Sequence, residues 1–457
     1  MESPPLPPQA KEALERIEET SEQVLEALSQ PTLLNGKFDN PWDTWSPKGF
    51  VDAVKWMLNR KAVPLPSPQE LDQKLPVLEP NWDTIYTPRS SFTLSSSASA
   101  SSSSSSSSNT ANGKEEEEED KANGDRPIIQ ATWIGHSSFL VQMEGVNFLT
   151  DPVWSLRCSP LGNVGVGPKR FRPVPFPIAR LPPIDFVVIS HNHYDHLDYY
   201  TVQQLGNSTK WYVPMGLKAW FLKCGVSNVV ELGWWEKAVF SKKKTASSSK
   251  GKGEKEAGDG EEVRVEIVAT PAQHWSLRSG FDRCQSLWCS WAVMGRYNRV
   301  FFAGDTGYCP AFAEIGRQHG PFDLGLIPIG AYCPRDFMKP QHVDPVEAVQ
   351  LHEDIRAKRS IGMHWGTFVL TDEHVLEPPK KLFEELQKRQ IHPRDFFVMK
   401  HGQTVKLVGR EKERRGSNYD GGEEEEDESK EVIEEEGIDE WWVEYLHDDG
   451  KKEASFA

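Results

Sequence analysis

The middle of the chain is a series of short apolar runs bounded by Gly, Pro and polar residues. Runs of this length and spacing are typical of strands. They predict ten strands, at residues 128–134, 139–142, 146–149, 186–189, 211–213, 263–269, 288–294, 299–302, 324–329 and 359–363.

Four other segments repeat their apolar residues at the spacing of a helix, at residues 10–28, 50–58, 345–355 and 378–388. Helical segments follow two separate runs of strands. This order predicts an α/β domain with two sheets in its core and helices outside them. The helix at residues 10–28 precedes this domain, and its apolar stripe is expected to pack on the domain surface.

Three segments lack the apolar residues that a core requires. They divide the 457 residues into a tail with an amphipathic helix (1–37), an N-terminal segment (38–94), a disordered Ser/Glu-rich insert (95–125), a core domain (126–409) with its own disordered insert (241–262), and an acidic disordered tail (410–457). Trp441, Trp442 and Tyr445 form an aromatic island in the last tail, which either docks on the body or binds a partner.

The net charge of −16 belongs to the low-complexity segments, because residues 411–457 contribute −13 and residues 115–120 contribute −6, which leaves the rest near +3. A nearly neutral body without a basic stripe argues against nucleic-acid binding. No apolar run is long enough to cross a membrane, and the N-terminus shows no signal peptide and no clear transit peptide. We therefore expect an intracellular protein without a transmembrane helix, whose membrane contact is peripheral.

One stretch concentrates the chemistry of the chain. The strand predicted at residues 186–189 is followed by His191, His193, Asp195 and His196. Four polar groups at the mouth of a buried strand are costly unless something charged pairs with them. Neutral imidazoles and carboxylates are good ligands for zinc and similar ions. The stretch therefore predicts a site for a divalent metal.

Further candidate ligands follow other predicted strands. Asp151, His274, Asp305 and His364 each come at or just after the end of a strand. Side chains gathered from several strand ends onto one sheet edge can converge on one cleft. Each position alone is weak evidence, whereas their joint occurrence predicts one active site.

The ligand pattern resembles the metallo-β-lactamase superfamily, and several motifs narrow the resemblance. These motifs are Asn40-Pro41-Trp42-x-x-Trp45, Gly135-His136-Ser137-Ser138, Leu149-Thr150-Asp151-Pro152-Val153, Pro271-x-Gln273-His274-Trp275, Ala303-Gly304-Asp305-Thr306-Gly307-Tyr308, Gln341-His342-Val343-Asp344-Pro345 and Met363-His364-Trp365-Gly366-Thr367-Phe368. Together they resemble the N-acylphosphatidylethanolamine-hydrolysing phospholipase D family. The resemblance covers roughly residues 38–409. It implies an αββα sandwich with an N-terminal helical extension and disordered inserts.

The resemblance also implies a binuclear centre. One ion would be held by His191, His193 and His274, the other by Asp195, His196 and His364, with Asp305 bridging the two. Two Zn²⁺ ions are expected because imidazoles dominate the set, although other divalent metals remain open. Asp151 is expected to orient an imidazole through its far nitrogen.

The implied reaction is hydrolysis of N-acylphosphatidylethanolamine to N-acylethanolamine and phosphatidic acid by a hydroxide that bridges the metals. Asp305 and His342 are the expected catalytic residues, with His342 assisting the leaving alkoxide. Expected substrate contacts are His136, Tyr194, Trp275 and Trp365. The Trp-rich segment around Trp42, Trp45 and Trp56 either lines a lipid groove or anchors the chain to the domain.

Two other functions stay open at this point. The same ligands would serve a hydrolase of a soluble phosphodiester or lactone. A catalytically idle membrane-docking protein is the alternative of another class, although purely structural metal sites are usually closed and four-coordinate. The sequence leaves a homodimer open, and it places the protein at the cytoplasmic face of membranes, with the mitochondrion among the candidate organelles.

Overall fold

A computed structural model describes residues 28–60, 63–88, 91–93, 125–160, 165–243, 262–408 and 442–443. Two large sheets form the body. The first has the strand order β17-β4-β5-β6-β7-β8-β9, with β3 paired to β4. Its strands are β3 (Ser91–Thr93), β4 (Asp125–Gly135), β5 (Ser138–Met143), β6 (Val146–Thr150), β7 (Phe186–Val188), β8 (Lys210–Pro214), β9 (Val229–Leu232) and β17 (Thr404–Val408).

The second sheet has the order β10-β11-β12-β13-β14-β15-β16. Its strands are β10 (Lys237–Lys243), β11 (Glu262–Thr270), β12 (Ser290–Met294), β13 (Arg299–Phe302), β14 (Phe322–Pro328), β15 (Ala357–Met363) and β16 (Phe396–Phe397). A small hairpin of β1 (Thr32–Leu34) and β2 (Lys37–Asp39) stands apart. All ten predicted strands are present. The prediction missed the described strands β1, β2, β3, β9, β10, β16 and β17. In β10 the alternation of exposed and half-buried residues hides the apolar pattern.

The helices are α1 (Phe50–Asn59), α2 (Pro68–Lys74), α3 (Trp82–Tyr86), α4 (Tyr199–Leu205), α5 (Lys218–Lys223), α6 (Ala311–His319), α7 (Arg335–Met338), α8 (Pro345–Asp354) and α9 (Glu377–Arg389). The predicted helices at 50–58, 345–355 and 378–388 are therefore confirmed. Residues 10–27 of the fourth predicted helix lie outside the described part of the chain.

The two sheets enclose one core and are covered by helices on their outer faces. Strand β5 shows why, because successive side chains point to opposite faces of a sheet. Phe139 and Val141 belong to the core shared with the second sheet, whereas Leu140 belongs to an outer cluster with Val202 of α4 and Phe221 of α5. This is the αββα sandwich that the sequence predicts.

Strand direction brings the candidate ligands to one edge of the sandwich. In the first sheet, β6 and β7 are parallel, and β4 runs in the same direction because it pairs antiparallel to β5, which pairs antiparallel to β6. In the second sheet, β11, β13 and β15 share one direction by the same reasoning. The carboxyl ends of all six strands can therefore deliver polar side chains to one cleft.

Aromatic residues anchor the N-terminal segment to the body. Trp42 stacks on Trp234 with ring centroids 5.3 Å apart, and Trp56 stacks on Phe337 at 5.4 Å. The Trp56 indole N–H also donates to Asp372 Oδ2 at 2.9 Å. Of the two roles left open for this segment, these contacts show the anchoring one.

The acidic tail also contacts the body at one point. Trp442 is 1% exposed, and its ring lies edge-on to Phe383 of α9 at 5.8 Å. The aromatic island therefore docks back onto the domain at Trp442. The rest of the predicted tail, most of both predicted inserts and residues 1–27 lie outside the described residues.

Among the described helices, none combines the length and apolar character needed to span a bilayer.

Candidate metal centre

The loop after β7 is tightly turned, which presents several of its side chains to one side. The backbone N–H groups of His196 and Leu197 both donate to the carbonyl oxygen of His193, at 3.1 and 2.9 Å. His191 and His196 are fully buried, and His193 and Asp195 are half-buried.

Among the described residues, the candidate ligands form four overlapping groups, and two of these contain the residues predicted for the two ions. In each, one ligand atom of every member lies within 4.8 Å of the others. We call His191, His193 and His274 the imidazole group, and His136, Asp195, His196 and His364 the mixed group. The three residues predicted for each ion therefore lie in the same group. His136, which was predicted as a substrate contact, lies in the mixed group with its Nε2 3.0 Å from Asp195 Oδ2.

Asp305 lies between the two groups. Its Oδ1 is 3.0 Å from His364 Nε2, and its Oδ2 is 3.1 Å from His196 Nε2. The same Oδ2 is 3.9 Å from the Nε2 atoms of both His191 and His274. This carboxylate is the one side chain predicted to bridge, and its position suits that role.

Several buried atoms in the centre have no hydrogen-bond partner. They include His193 Nε2, His196 Nε2, His364 Nε2 and Asp305 Oδ1. Imidazole nitrogens and carboxylate oxygens that converge in a buried site without forming hydrogen bonds are unfavourable. A divalent cation with nitrogen and oxygen ligands resolves this, so the donor set fits a metal of the zinc type.

The charge states of the two groups differ. Burial lowers the pKa of His193 to about 4 and holds the pKa of His191 and His274 well below the usual value. Burial also acts to lower the pKa of His364, but Asp305 and Asp195 outweigh it and raise that pKa to about 9. Without a metal, the mixed group therefore holds protons where a cation would otherwise compensate its carboxylates.

Asp151 stands behind the mixed group. Its Oδ2 lies 2.6 Å from His196 Nδ1 and accepts from the Ser190 hydroxyl at 2.5 Å, while its Oδ1 accepts from the Ser190 N–H at 2.7 Å. This geometry leaves His196 Nε2 free to face the centre. It is the arrangement expected of a carboxylate that orients a ligand imidazole.

His274 is held by neutral partners instead. Its Nδ1 lies 2.9 Å from the carbonyl oxygen of Gln341. The amide of Asn40 donates to the His274 carbonyl oxygen at 2.8 Å, so the N-terminal segment packs directly against this ligand. The sequence analysis predicts no role for Asn40 or Gln341. Their position in two of the family motifs was the available signal for a supporting role.

Tyr194 is committed to the loop rather than to the cleft. Its hydroxyl donates to the carbonyl oxygen of Arg278, and the Arg278 guanidinium lies 4.6 Å from the ring centroids of both Tyr194 and Trp220. Arg278 Nη1 also donates to the carbonyl oxygens of Asn192 and Leu197, at 3.1 and 2.8 Å. Arg278 therefore clamps the ligand loop at both ends, a role for which the sequence held no visible signal.

The remaining predicted site residues lie at different distances from the centre. His342 lies at the centre, with its Nδ1 3.9 Å from Asp305 Oδ2, and burial lowers its pKa to about 3, so the imidazole is neutral. Trp275 is half-buried beside His193, with ring centroids 4.5 Å apart. Trp365 is only 4% exposed and stacks on Trp133 at 5.7 Å, which places its ring largely in the core.

Comparisons with known proteins agree with this geometry. A family model described as a beta-lactamase superfamily domain matches residues 146–365. The chain is 45% identical over 278 residues to N-acyl-phosphatidylethanolamine-hydrolyzing phospholipase D 1 of Caenorhabditis elegans, covering 59% of this chain and 72% of that protein. It is 31% identical over 390 residues to the mitochondrial N-acyl-phosphatidylethanolamine-hydrolyzing phospholipase D of Saccharomyces cerevisiae, covering 81% and 76% of the two chains.

Among solved structures, an isothiocyanate hydrolase from Delia radicum gut bacteria aligns with a TM-score of 0.45 and 17% identity, covering 60% of this chain and 97% of that one. The two helix-covered sheets and the superfamily match define the class of the chain, a metal-dependent hydrolase of the metallo-β-lactamase fold. Within that class, the chain belongs to the family of N-acylphosphatidylethanolamine-hydrolysing phospholipases D.

Proposed function

We propose that this protein is a phospholipase D that hydrolyses N-acylphosphatidylethanolamine to N-acylethanolamine and phosphatidic acid. The observation that carries the proposal is the convergence of the imidazole and mixed groups on Asp305. Its two oxygens lie 3.0 and 3.1 Å from His364 and His196 of the mixed group, and its Oδ2 lies 3.9 Å from His191 and His274 of the imidazole group. Family membership supports the same substrate class, because two relatives are named for this reaction.

Two divalent ions, for which we propose zinc, would supply Lewis acidity and a nucleophile derived from water. We propose that His191, His193 and His274 hold one ion, that Asp195, His196 and His364 hold the other, and that Asp305 contacts both. The role of the protein is then to hold these side chains in fixed orientations. Asp151 sets which nitrogen of His196 is free, and the Gln341 carbonyl does the same for His274.

His342 is proposed to act on the leaving group. When the P–O bond to N-acylethanolamine breaks, the departing oxygen must gain a proton. The buried imidazole is neutral, so it can stabilise that oxygen by donating a hydrogen bond from a ring N–H while water supplies the proton. Its Nδ1 is buried without a partner, which leaves it available.

Peripheral contact with a membrane follows from a lipid substrate, and exposed apolar side chains support it. Phe281 is 90% exposed in the loop after Trp275, and Leu58 and Val51 of α1 are 81% and 63% exposed. Large apolar side chains in such positions are typical of interaction surfaces. The location we propose is the cytoplasmic face of an intracellular membrane, with mitochondrial membranes as one candidate because the yeast relative is named mitochondrial.

A product assay tests the reaction. Purified protein is mixed with vesicles that contain N-acylphosphatidylethanolamine, and lipids are resolved by mass spectrometry, with Asp305→Asn as the matched control. We expect N-acylethanolamine and phosphatidic acid from the wild type alone, and loss of metal together with turnover in the variant. A wild type that carries metal but forms neither product would overturn the lipid assignment and favour a soluble phosphodiester or lactone.

His342→Ala separates leaving-group assistance from metal binding. We expect turnover to fall by about 100-fold, the lower range for loss of a hydrogen-bond donor to developing charge, while metal content stays at the wild-type level. Metal analysis beside steady-state kinetics measures both quantities. If the variant loses metal as Asp305→Asn does, His342 has a structural role and the assignment is wrong.

A further inference from the structure

One arginine beside the metal centre has a charge that the described residues leave unpaired. Arg283 is half-buried, and its guanidinium carbon lies 4.4 Å from the ring centroid of Trp275. Its Nη2 donates a long hydrogen bond of 3.4 Å to the carbonyl oxygen of Lys48. Among the described residues no carboxylate forms an ion pair with it. The neighbouring Asp282 is committed elsewhere, since its Oδ1 accepts from the N–H groups of Arg278 and Ser279.

The Arg283 guanidinium and the candidate ligand His193 contact the same aromatic ring, that of Trp275. The Trp275 ring centroid lies 4.4 Å from the Arg283 guanidinium carbon and 4.5 Å from the His193 ring centroid, with the two ring planes at 71°. The Trp275 indole N–H donates to Gln341 Oε1 at 2.6 Å, which fixes the ring. The positive charge therefore stands one aromatic ring away from a candidate ligand.

The loop that carries Arg283 is held at its base. The Cys284 N–H donates to the Ser276 carbonyl oxygen at 2.8 Å, and the Cys284 carbonyl oxygen accepts from the Phe38 N–H at 2.8 Å. Arg283 is thus flanked by a residue bonded to both its own loop and the N-terminal segment. A guanidinium placed in advance in this way loses little freedom when it binds an anion.

We propose that Arg283 is a specificity-determining residue that selects substrates carrying a phosphodiester anion. This inference rests on the proposed function, whose substrate is such an anion. The planar guanidinium offers paired N–H donors that match two phosphoryl oxygens, and it lies 4.4 Å from the ring centroid of Trp275 beside the centre. A lactone or another neutral ester gains nothing from this contact, so the residue favours lipid phosphodiesters over the neutral substrates that similar metal centres can hydrolyse.

The test compares charge at this position with the same charge elsewhere. Arg283→Gln, Arg283→Lys and Arg296→Gln are assayed on N-acylphosphatidylethanolamine in micelles of a neutral detergent. Arg296 is exposed in the turn between β12 and β13, at the opposite edge of the second sheet, so its variant removes one charge without touching the cleft. Metal content and Tm are recorded for each protein.

For Arg283→Gln we expect KM to rise about tenfold, the loss of one charge-assisted hydrogen bond, with kcat, metal content and Tm unchanged. Arg283→Lys keeps the charge but lacks the planar pair of N–H donors, so its KM should lie between those of the wild type and Arg283→Gln. Arg296→Gln should match the wild type. Raising the ionic strength should increase KM for the wild type more than for Arg283→Gln, because salt screens an exposed charge.

An unchanged KM in Arg283→Gln overturns the inference. A fall in kcat together with Tm or metal content also overturns it, because that result assigns Arg283 to holding the Lys48 carbonyl. The proposed function fails separately, by the products of the wild type. If the wild type instead hydrolyses bis(4-nitrophenyl) phosphate, the same KM comparison on that anion still decides the role of Arg283.

Discussion

The imidazole group and the mixed group sit side by side, but their ligands are oriented by different kinds of partner. In the imidazole group, a main-chain carbonyl at Gln341 holds His274 at 2.9 Å. In the mixed group, the buried carboxylate of Asp151 holds His196 at 2.6 Å. His274 is thus oriented by a neutral acceptor, and His196 by a carboxylate that is itself buried.

The difference extends to protonation. The pKa of His193 is lowered to about 4 by burial, so this imidazole is uncharged at neutral pH. The pKa of His364 is raised to about 9, because the carboxylates of Asp305 and Asp195 outweigh burial. A cation can enter the first group directly but must displace protons from the second. The mixed group should therefore depend more strongly on the residue that orients its imidazole.

The largest effect is expected for Asp151→Ala. The change leaves His196 buried without its charged partner, and losing one member of a buried pair costs about 3–5 kcal/mol. Metal affinity should fall by about 10–100-fold, as it does when a supporting carboxylate is removed from a metal site. Urea unfolding of the metal-free protein and metal analysis after dialysis measure the two effects.

Asp151→Asn is the matched control for that experiment. The amide oxygen can still accept from the Ser190 N–H, so most of the shape is kept while the charge is lost. We expect a smaller loss of stability than in Asp151→Ala, whereas metal affinity should again fall. If Asp151→Ala keeps both ions at the wild-type level, the supposed dependence of the mixed group on this carboxylate is wrong.

An intermediate effect is expected for Arg278→Met, which touches the loop shared by both groups. Two hydrogen bonds from the guanidinium to the carbonyls of Asn192 and Leu197 are lost. Bonds from a charged donor contribute about 1.5–3 kcal/mol, and we expect a loss of unfolding free energy in that range. Metal content should fall for both ions together, in contrast to Asp151→Ala.

Arg278→Lys sharpens this second comparison. The ammonium keeps the charge but lacks the planar stack between Tyr194 and Trp220, so partial recovery is expected. Denaturation curves of the metal-free and metal-loaded proteins distinguish loop stability from metal binding. An unfolding free energy equal to that of the wild type in Arg278→Met would show that the clamp is not needed.

The sequence indicated which residues converge at the centre, but of the residues that hold them it indicated only Asp151. His191, Asp305 and His364 follow apolar strands, and strand direction alone brings such residues to one edge. His136 ends β4 in the same way, yet the resemblance suggested a substrate contact, and only the packing of the two sheets places it against Asp195.

The supporting residues other than Asp151 could not be predicted, for a physical reason. Arg278 contacts carbonyls more than eighty positions away in the chain, as the separations of 86 and 81 residues show. A main-chain carbonyl carries no residue type that a sequence pattern could reveal. Arg283 likewise acquires its meaning from the Trp275 ring beneath it and the carbonyl of Lys48, both fixed by tertiary packing.

The smallest effect is expected for Gln341→Leu, on the side of the imidazole group. The substitution removes the acceptor for the Trp275 indole N–H but keeps the main-chain carbonyl that holds His274. A neutral hydrogen bond contributes about 0.5–1.5 kcal/mol, so KM should rise about two- to tenfold as Trp275 loses its fixed orientation. Metal content and kcat should stay at wild-type values, and Gln341→Glu, which keeps an acceptor, should restore KM.

Steady-state kinetics with metal analysis measures these quantities for Gln341→Leu. If Gln341→Leu instead loses metal to the same extent as Asp151→Ala, the two groups depend equally on their supports, and the contrast between neutral and charged orientation does not hold.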